Sequence, residues 1–257
     1  MTSPIAGLLA SRLAADAAGP LITYYDDETG ERTELSATTL ANWVNKTANL
    51  LQEGLDVEAG SRVAVVLPPH WQTAAVLLGA WAVGAVVTEA TPASIFLTSE
   101  DRLGDLLDPE ADEVFEHLVG VSLRPLGAPM QLRPLGVTDY AAEVLVYGDH
   151  FTPYSPVDPD AVALQAGRLA LTGRTVVASA EELAGRLGLG AGDRLLIDVE
   201  AARDGGPLPW LLAPLAAGAS VVLCRRPDPA GLQRRVETER VTATIGMHVD
   251  GVRSAGS

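Results

Sequence analysis

Arg62-Val-Ala-Val-Val-Leu-Pro-Pro-His-Trp-Gln-Thr-Ala-Ala-Val-Leu-Leu-Gly-Ala-Trp-Ala-Val-Gly-Ala-Val-Val-Thr88 is the stretch that decides the fold. Val63 to Leu67 is a short β-branched apolar run, the pattern of a parallel strand covered on both faces. Pro68 and Pro69 end it, because proline has no N–H for the sheet ladder. His70 to Val83 predicts a helix of about three turns. Trp71, Ala74, Ala75, Leu77, Leu78 and Trp81 leave that helix almost no polar face, so it is expected to be interior. Gly84 suits the left-handed residue after a helix, and Ala85 to Thr88 returns as a second strand. Strand, helix and strand in so short a span make a right-handed crossover unit.

Upstream, Leu21–Tyr25 and Arg32–Leu35 flank Asp26-Asp27-Glu28-Thr29-Gly30, the composition of a hairpin. Ser36 is a plausible N-cap for a helix whose apolar face is Leu40, Trp43, Val44, Thr47, Leu50 and Leu51, closed by Gly54. Ile5, Leu8, Leu9 and Leu13 give one face of a short leading helix. Downstream, Thr98-Ser-Glu-Asp-Arg has a helix-start composition, Glu113–Leu123 predicts a strand, and Pro125–Pro134 reads as irregular connection. Asp139–Tyr147 reads as a short helix. Phe151–Asp160, with Pro153, Pro156 and Pro159, is the best linker candidate. Beyond it, Ala161–Leu171 predicts a hairpin around Gly167-Arg168, and Glu181, Glu182, Leu183 and Leu187 a helix ending at Gly188.

The segment after Gly188 repeats the opening stretch. Gly190-Ala-Gly-Asp-Arg-Leu-Leu-Ile matches Glu58-Ala-Gly-Ser-Arg-Val-Ala-Val, and Trp210-Leu-Leu-Ala-Pro-Leu-Ala-Ala-Gly-Ala-Ser-Val-Val matches Leu77 to Val87, about 130 residues apart. The expectation is an α/β protein of two similar lobes with largely parallel sheets covered by helices. Residues 1–155 would form the first lobe, 156–252 the second, and 253–257 a flexible tail.

Composition narrows the function. Acidic residues number 33 against 18 basic, a formal charge of -15, which argues against nucleic acid or an anionic membrane surface as the main partner. Arg225-Arg226 and Arg234-Arg235 are read as solvated surface charge. Cys224 is the single cysteine, so no intramolecular disulfide can form and a cytoplasmic location is expected. It ends the apolar run Ser220-Val-Val-Leu-Cys and reads as a buried strand residue. No basic region precedes an apolar segment at the N-terminus, so no secretory signal is expected, and Pro209, Pro214 and Gly218 break the longest uncharged run.

Val57-Glu-Ala-Gly-Ser-Arg-Val-Ala-Val-Val-Leu-Pro, Leu77-Leu-Gly-Ala-Trp-Ala-Val-Gly-Ala-Val-Val, Leu187-Gly-Leu-Gly-Ala-Gly-Asp-Arg-Leu-Leu and Pro214-Leu-Ala-Ala-Gly-Ala together resemble the N-terminal part of the adenylate-forming superfamily. That superfamily includes acyl-CoA synthetases, peptide-synthetase adenylation domains and luciferases. The resemblance covers residues 20 to 90 and 158 to 248. It implies a fold strongly and a chemistry weakly, since these passages build the scaffold. Family members activate a carboxylic acid with ATP, releasing pyrophosphate, and usually pass the acyl group to a thiol. ATP or AMP is therefore the ligand that the resemblance implies.

Departures from the family pattern carry the functional expectation. The family has a Ser/Thr/Gly-rich phosphate loop ending in Pro-Lys shortly after a strand. Here the place reads Leu164-Gln-Ala-Gly-Arg-Leu-Ala-Leu-Thr-Gly-Arg-Thr-Val-Val, with Leu169, Ala170 and Leu171 where small hydroxyl residues belong. Arg174 or Thr175 stands in place of the lysine, leaving Thr172, Gly173 and Arg174 as a degenerate remnant for phosphate contact. Lys46 is the only lysine, within the Leu40–Leu51 helix, where a surface role is expected. The small C-terminal domain that brings the family's second lysine has no counterpart up to Ser257, nor do the later motifs for adenine, ribose and metal. A phosphoryl transition state needs cations and N–H donors together.

Other constellations are weaker. Gly188-Leu-Gly-Ala-Gly follows a helix and precedes a strand, the reverse of a dinucleotide fingerprint, and reads as a turn. His70, His117, His150 and His248 lack paired ligand spacing, so no metal site is expected. There is no Gly-x-Ser-x-Gly elbow. His70 and Asp198 follow the two core strands, where open α/β sheets place ligands, and are the cleft-rim candidates; Glu200 and Asp204 read as an exposed acidic loop. The reading is a catalytically reduced relative used for binding or scaffolding, with a partner protein or self-association possible. The alternatives are an acyl-activating subunit completed by another polypeptide, or a sensor of an acyl or nucleotide ligand.

Overall fold

A computed structural model describes residues 3–108 and 112–256. Its leading helix, α1 (Pro4–Ala15), buries Ile5 and Leu9. The hairpin comes next as β1 (Pro20–Asp26) and β2 (Glu31–Ser36), antiparallel and turning at Gly30. Ser36 caps α2 (Ala37–Asn49), its Oγ accepting from the Thr39 N–H at 3.1 Å. The helix widens to a π turn over Leu50–Gly54, a detail that apolar spacing does not report.

The crossover unit forms as β3 (Arg62–Val66), α3 (Trp71–Val83) and β4 (Val86–Thr88), with β3 and β4 parallel. Trp71, Leu78 and Trp81 are buried in α3, as expected from its missing polar face. Gly79 lets α3 approach α2, since a Cβ there would lie 2.9 Å from Thr47 Cγ2. Next come β5 (Ala93–Ser99), α4 (Leu103–Leu106), β6 (Phe115–Val121), β7 (Val137–Asp139) and α5 (Tyr140–Glu143). Ala93–Ser99 is a buried strand, whereas the sequence marked only a helix start at Thr98; the helical turn begins after Ser99.

The second half contains β8 (Val162–Ala166), β9 (Leu169–Thr172), α6 (Gly173–Arg186) and β10 (Arg194–Asp198). It continues through α7 (Val199–Arg203), α8 (Ala213–Ala217), β11 (Ser220–Arg225), α9 (Pro229–Glu239), β12 (Ala243–Ile245) and β13 (Arg253–Ser254). Arg253, in the region read as a tail, pairs through β13 with β12 and donates to the Leu187 carbonyl at 2.8 Å.

Two sheets result, one ordered β7-β6-β5-β3-β4-β8-β9 and the other β13-β12-β10-β11-β1-β2. Among the described residues, all pairings are parallel except the two edge hairpins, β8–β9 and β1–β2. The internal repeat extends to hydrogen bonds. Val86 N–H donates to Ser61 C=O at 2.8 Å, and Ser220 N–H to Asp193 C=O at 2.9 Å. Gly60 and Gly192, at φ 88° and 99°, make the same left-handed turn before β3 and β10. The α/β architecture with two similar, largely parallel sheets is therefore present.

Each sheet is finished by a hairpin from the other half of the chain. The β1–β2 hairpin pairs with β11, and β8–β9 pairs with β4. The compact units accordingly interleave: Met1–Ala6, Ala41–Leu67 and Gln72–Val176 form one, and Gly7–Leu40, Pro68–Trp71 and Val177–Ser257 the other. The sequence reading instead places a single boundary at residue 155/156. Phe151–Asp160 joins no strand, but the chain after it returns to the first sheet. Its first residues are fastened to Gln52 in the π turn, and the residues just before it to α2. Asn45, Lys46, Asn49 and Gln52 donate to the carbonyls of Asp149, Tyr147, Gly148, His150 and Thr152, and Gln52 accepts from the Tyr154 N–H.

Candidate functional site

Thr172, Gly173 and Arg174 form the turn from β9 into α6. Thr172 acts as the N-cap, its Oγ1 accepting from Thr175 N–H at 3.2 Å and lying 2.9 Å from Thr175 Oγ1. The Gly173 N–H donates to the Ala161 carbonyl at 3.1 Å and the Arg174 N–H to the Pro159 carbonyl at 2.9 Å. Arg174 clasps Asp160 with two bonds, Nε to Oδ1 at 2.9 Å and Nη2 to Oδ2 at 3.1 Å. That clasp holds the Asp160 carboxyl below its ordinary range and raises Arg174 further. An anion nest needs consecutive N–H groups turned outward. Here the N–H groups of Gly173, Arg174 and Thr175 already have protein acceptors. Ahead of this turn, β8 and β9 are joined by Gly167 and Arg168 alone. A two-residue turn leaves no loop after the strand to wrap a phosphate.

His70 and Asp198 follow corresponding strands, β3 and β10. His70 is 1% exposed, with its ring edge-on to Tyr24 at 4.3 Å between centroids and tilted against Trp71 at 5.5 Å. Burial first, and then the Arg225 charge, push its pKa down to about 3, so the imidazole is neutral near pH 7. Burial pushes the Tyr24 phenol up to about 12. Asp198 is half-buried and caps α7, accepting from the Glu200 N–H at 2.9 Å. The remnant turn lies in the first unit, while His70 and Asp198 lie in the second.

Sequence reasoning missed a charged cluster at the carboxyl ends of β1 and β11. Asp26, 3% exposed, takes Nε of Arg226 at 3.1 Å and a second bond from its Nη2. Asp27 accepts two bonds from Arg235, at 2.5 and 3.1 Å, and the Asp228 N–H at 2.6 Å. Arg235 also lies 4.1 Å from the Tyr25 ring centroid and donates to Cys224 Sγ at 3.4 Å. Arg226 pairs with Asp26 and Arg225 approaches it at 3.9 Å, both keeping a solvated face at 39% and 36% exposure, whereas Arg235, 10% exposed, is committed to Asp27. Asp26-Asp27 and the arginine pairs were visible in sequence, but about 200 residues separate them. The Cys224 thiol is buried and pushed up to about 11 by that burial, unlike a reactive thiolate.

At the opposite, amino ends of β10 and β11, the second unit has an open cleft of about 810 Å³. Arg12, Asp16, Arg32, Glu34, Arg194 and Glu239 line it. Their charges meet one another: Arg12 pairs with Asp16, Arg32 with Glu34 and Glu239, and Arg194 with Glu239. Among the described residues, no group of three His, Cys, Asp or Glu side chains could hold a metal ion. No described helix is long and apolar enough to cross a membrane.

Comparison with known proteins agrees with this architecture. Residues 14–108 match the model of the AMP-binding enzyme family. A relative from Mycobacterium tuberculosis (strain ATCC 25618 / H37Rv), described as a TIGR03089 family protein, is 44% identical over 255 residues, 95% of this chain and 100% of its own. Among solved structures, an acyl-CoA synthetase from Brucella canis superposes with a TM-score of 0.73 at 19% identity, covering 96% of this chain and 47% of its own. An acetoacetyl-CoA synthetase from Streptomyces lividans gives 0.74 at 20% identity, covering 94% and 42%. An anthranilate CoA ligase in complex with anthranoyl-AMP gives 0.72 at 14%, covering 94% and 49%. The chain spans about half the length of these solved structures. It belongs to the TIGR03089 family, and its residues 14–108 carry the match to the AMP-binding enzyme family.

Proposed function

We propose that this chain is a catalytically reduced relative of the AMP-binding acyl-activating enzymes, acting in the cytoplasm as a binding or scaffolding protein. One observation carries the reading: a two-residue turn, Gly167-Arg168, stands where a phosphate loop would follow β8, and the N–H groups of Gly173 and Arg174 are spent on Ala161 and Pro159 carbonyls. Acyl-adenylate formation gathers negative charge on the α-phosphate and needs cations and N–H donors aimed at it in advance. Arg174 is engaged by Asp160, and the only lysine, Lys46, donates to the Tyr147 carbonyl. As it stands, the remnant does not fit ATP. A pyrophosphate-release assay with ATP, Mg²⁺ and mixed carboxylic acids tests this; turnover by the purified chain would reject it.

The second reading, an acyl-activating subunit completed by another polypeptide, is favoured by the chain's spanning about half of the solved synthetases it superposes on. The names of those proteins make ATP, AMP and acyl-CoA the ligands to try. Calorimetry with each separates a sensor from a scaffold: saturable heat supports a sensor, and none supports a scaffold.

A further inference from the structure

The cleft at the amino ends of β10 and β11 is balanced in charge but not in hydrogen bonds. Every carboxylate oxygen of Asp16, Asp193 and Glu239 already accepts a bond, and of Glu34 only Oε1 is open among the described residues. A guanidinium carries several N–H donors and accepts nothing, so arginines that line a cleft of saturated carboxylates keep donors to spare. Arg240 lines it, is exposed, and its side chain meets no acceptor among the described residues. Arg32 gives Nε to Tyr25 and Glu239 and Nη2 to Glu34, leaving Nη1 without an acceptor on a side chain 45% exposed. Arg12 gives Nη2 to Asp16, while its Nε is shielded from solvent with no partner.

What such a cleft lacks is an acceptor. An N–H buried without a partner is costly, so the Arg12 side chain is stabilised by turning toward an anion that enters. We propose that this cleft binds a small polyanion with two or more carboxylate or phosphate groups, held by Arg12, Arg32 and Arg240. A volume of about 810 Å³ accommodates a molecule of that kind. The planar guanidinium fork matches the paired oxygens of carboxylate and phosphate alike, so the shared chemistry is the oxyanion.

Two opposing effects set the valence. The carboxyl ends of α8 and α9 line the same cleft and lend it partial negative charge, so an anion with a single charged group is weakly held. A ligand spanning several guanidiniums outweighs that field. The formal charge of -15 belongs to the whole chain and is screened beyond about 8 Å at physiological salt, which leaves the local arginines to decide. The site lies in the second unit, whereas the remnant turn at Thr172–Arg174 lies in the first. It therefore goes beyond the non-catalytic reading and does not depend on it.

Isothermal titration calorimetry on the full chain, with pyrophosphate and with citrate as separate probes in about 0.15 M NaCl, tests the proposal. The expected result is saturable binding of at least one probe with a Kd of about 100 µM or tighter. Citrate alone would mark a carboxylate ligand, and pyrophosphate alone a phosphate one. Arg240→Gly removes the guanidinium at a residue whose φ of 54° glycine adopts freely, and Arg12→Met keeps the stem of a side chain 11% exposed. Each should melt like the parent and raise Kd about tenfold or more. Arg168→Ala takes the same charge from an exposed position in the first unit and should leave Kd unchanged. If Arg12→Met fails to fold, Arg240→Gly still decides. No saturable heat from either probe up to about 10 mM overturns the proposal. Binding that survives the folded cleft variants, or that Arg168→Ala weakens as much, also overturns it. Acyl-AMP formation by the chain would reject the non-catalytic reading and leave this site standing, so the two can fail separately.

Discussion

Arg194, the first residue of β10, reaches Glu239, the last residue of α9, with Nη2 to Oε2 at 2.5 Å. Tyr25 donates to the other carboxylate oxygen at 2.5 Å and Arg32 at 3.0 Å. The pair closes one end of the second unit's sheet, and both side chains are largely buried, at 11% and 4% exposure. Glu239→Gln would leave the largely buried Arg194 with the longer Glu34 contact, at 3.8 Å, as counter-charge, and should lower unfolding stability by about 3 kcal/mol in urea titration. Burial raises the Glu239 carboxyl, but the bonds from Tyr25, Arg194 and Arg32 outweigh it and hold the group below its ordinary range. A depressed carboxylate stabilises the fold above its unfolded pKa, about 4.3, and loses that contribution as pH falls through the folded value. The variant should accordingly lose less stability on acidification than the parent; parallel pH profiles would contradict the pairing.

His70 gives a second pH signature. An unfolded imidazole takes its proton near about pH 6.5. In the fold, burial and then Arg225 delay protonation to about 3. Between those values the unfolded chain holds the extra proton, so stability falls as pH drops, by up to about 1.4 kcal/mol per pH unit. His70→Phe keeps a ring against Tyr24 and should flatten the profile between about pH 6.5 and 4.5. Equal slopes would show that His70 protonates in the native state.

Leu78, 1% exposed on α3, tests the interior helix. Leu78→Ala should cost about 2–5 kcal/mol by chemical denaturation, and Leu78→Asp should prevent folding because its charge would be buried without a partner. A Leu78→Asp protein that melts like the parent would place α3 at the surface.

The exchanged hairpins make a topological prediction. A fragment of residues 1–155 lacks the β8–β9 hairpin of its sheet, and a fragment of residues 156–257 lacks β1–β2. Neither should unfold cooperatively alone, whereas mixing them should restore a cooperative melt by circular dichroism. Independent folding of either fragment would count against the hairpin pairing.

Much of this fold was legible in local pattern. Val63–Val65, the two prolines and Gly84 marked β3, α3 and β4 because strand length, ladder chemistry and helix termination are local properties. The repeat was also legible, since Gly60 and Gly192 serve the same turn. Pairing between distant segments was not: nothing near β1 announces β11 as its neighbour. The proline-rich segment at 151–160 looked like a boundary because its fastening, through Thr152 and Tyr154 to Gln52, involves a residue about 100 positions away. For the candidate site, sequence identified Thr172, Gly173 and Arg174 as the place to look. The carbonyls of Ala161 and Pro159 that occupy its N–H groups carry no residue-type signal, so only the folded backbone reveals them.

The most direct test of the non-catalytic account is a search for acyl-AMP after incubating the purified chain with Mg·ATP and a panel of aliphatic and aromatic carboxylic acids, read by mass spectrometry. The account predicts no acyl-AMP above the level of a protein-free control. Acyl-AMP formed by the chain alone, rising in proportion to its concentration, would contradict it.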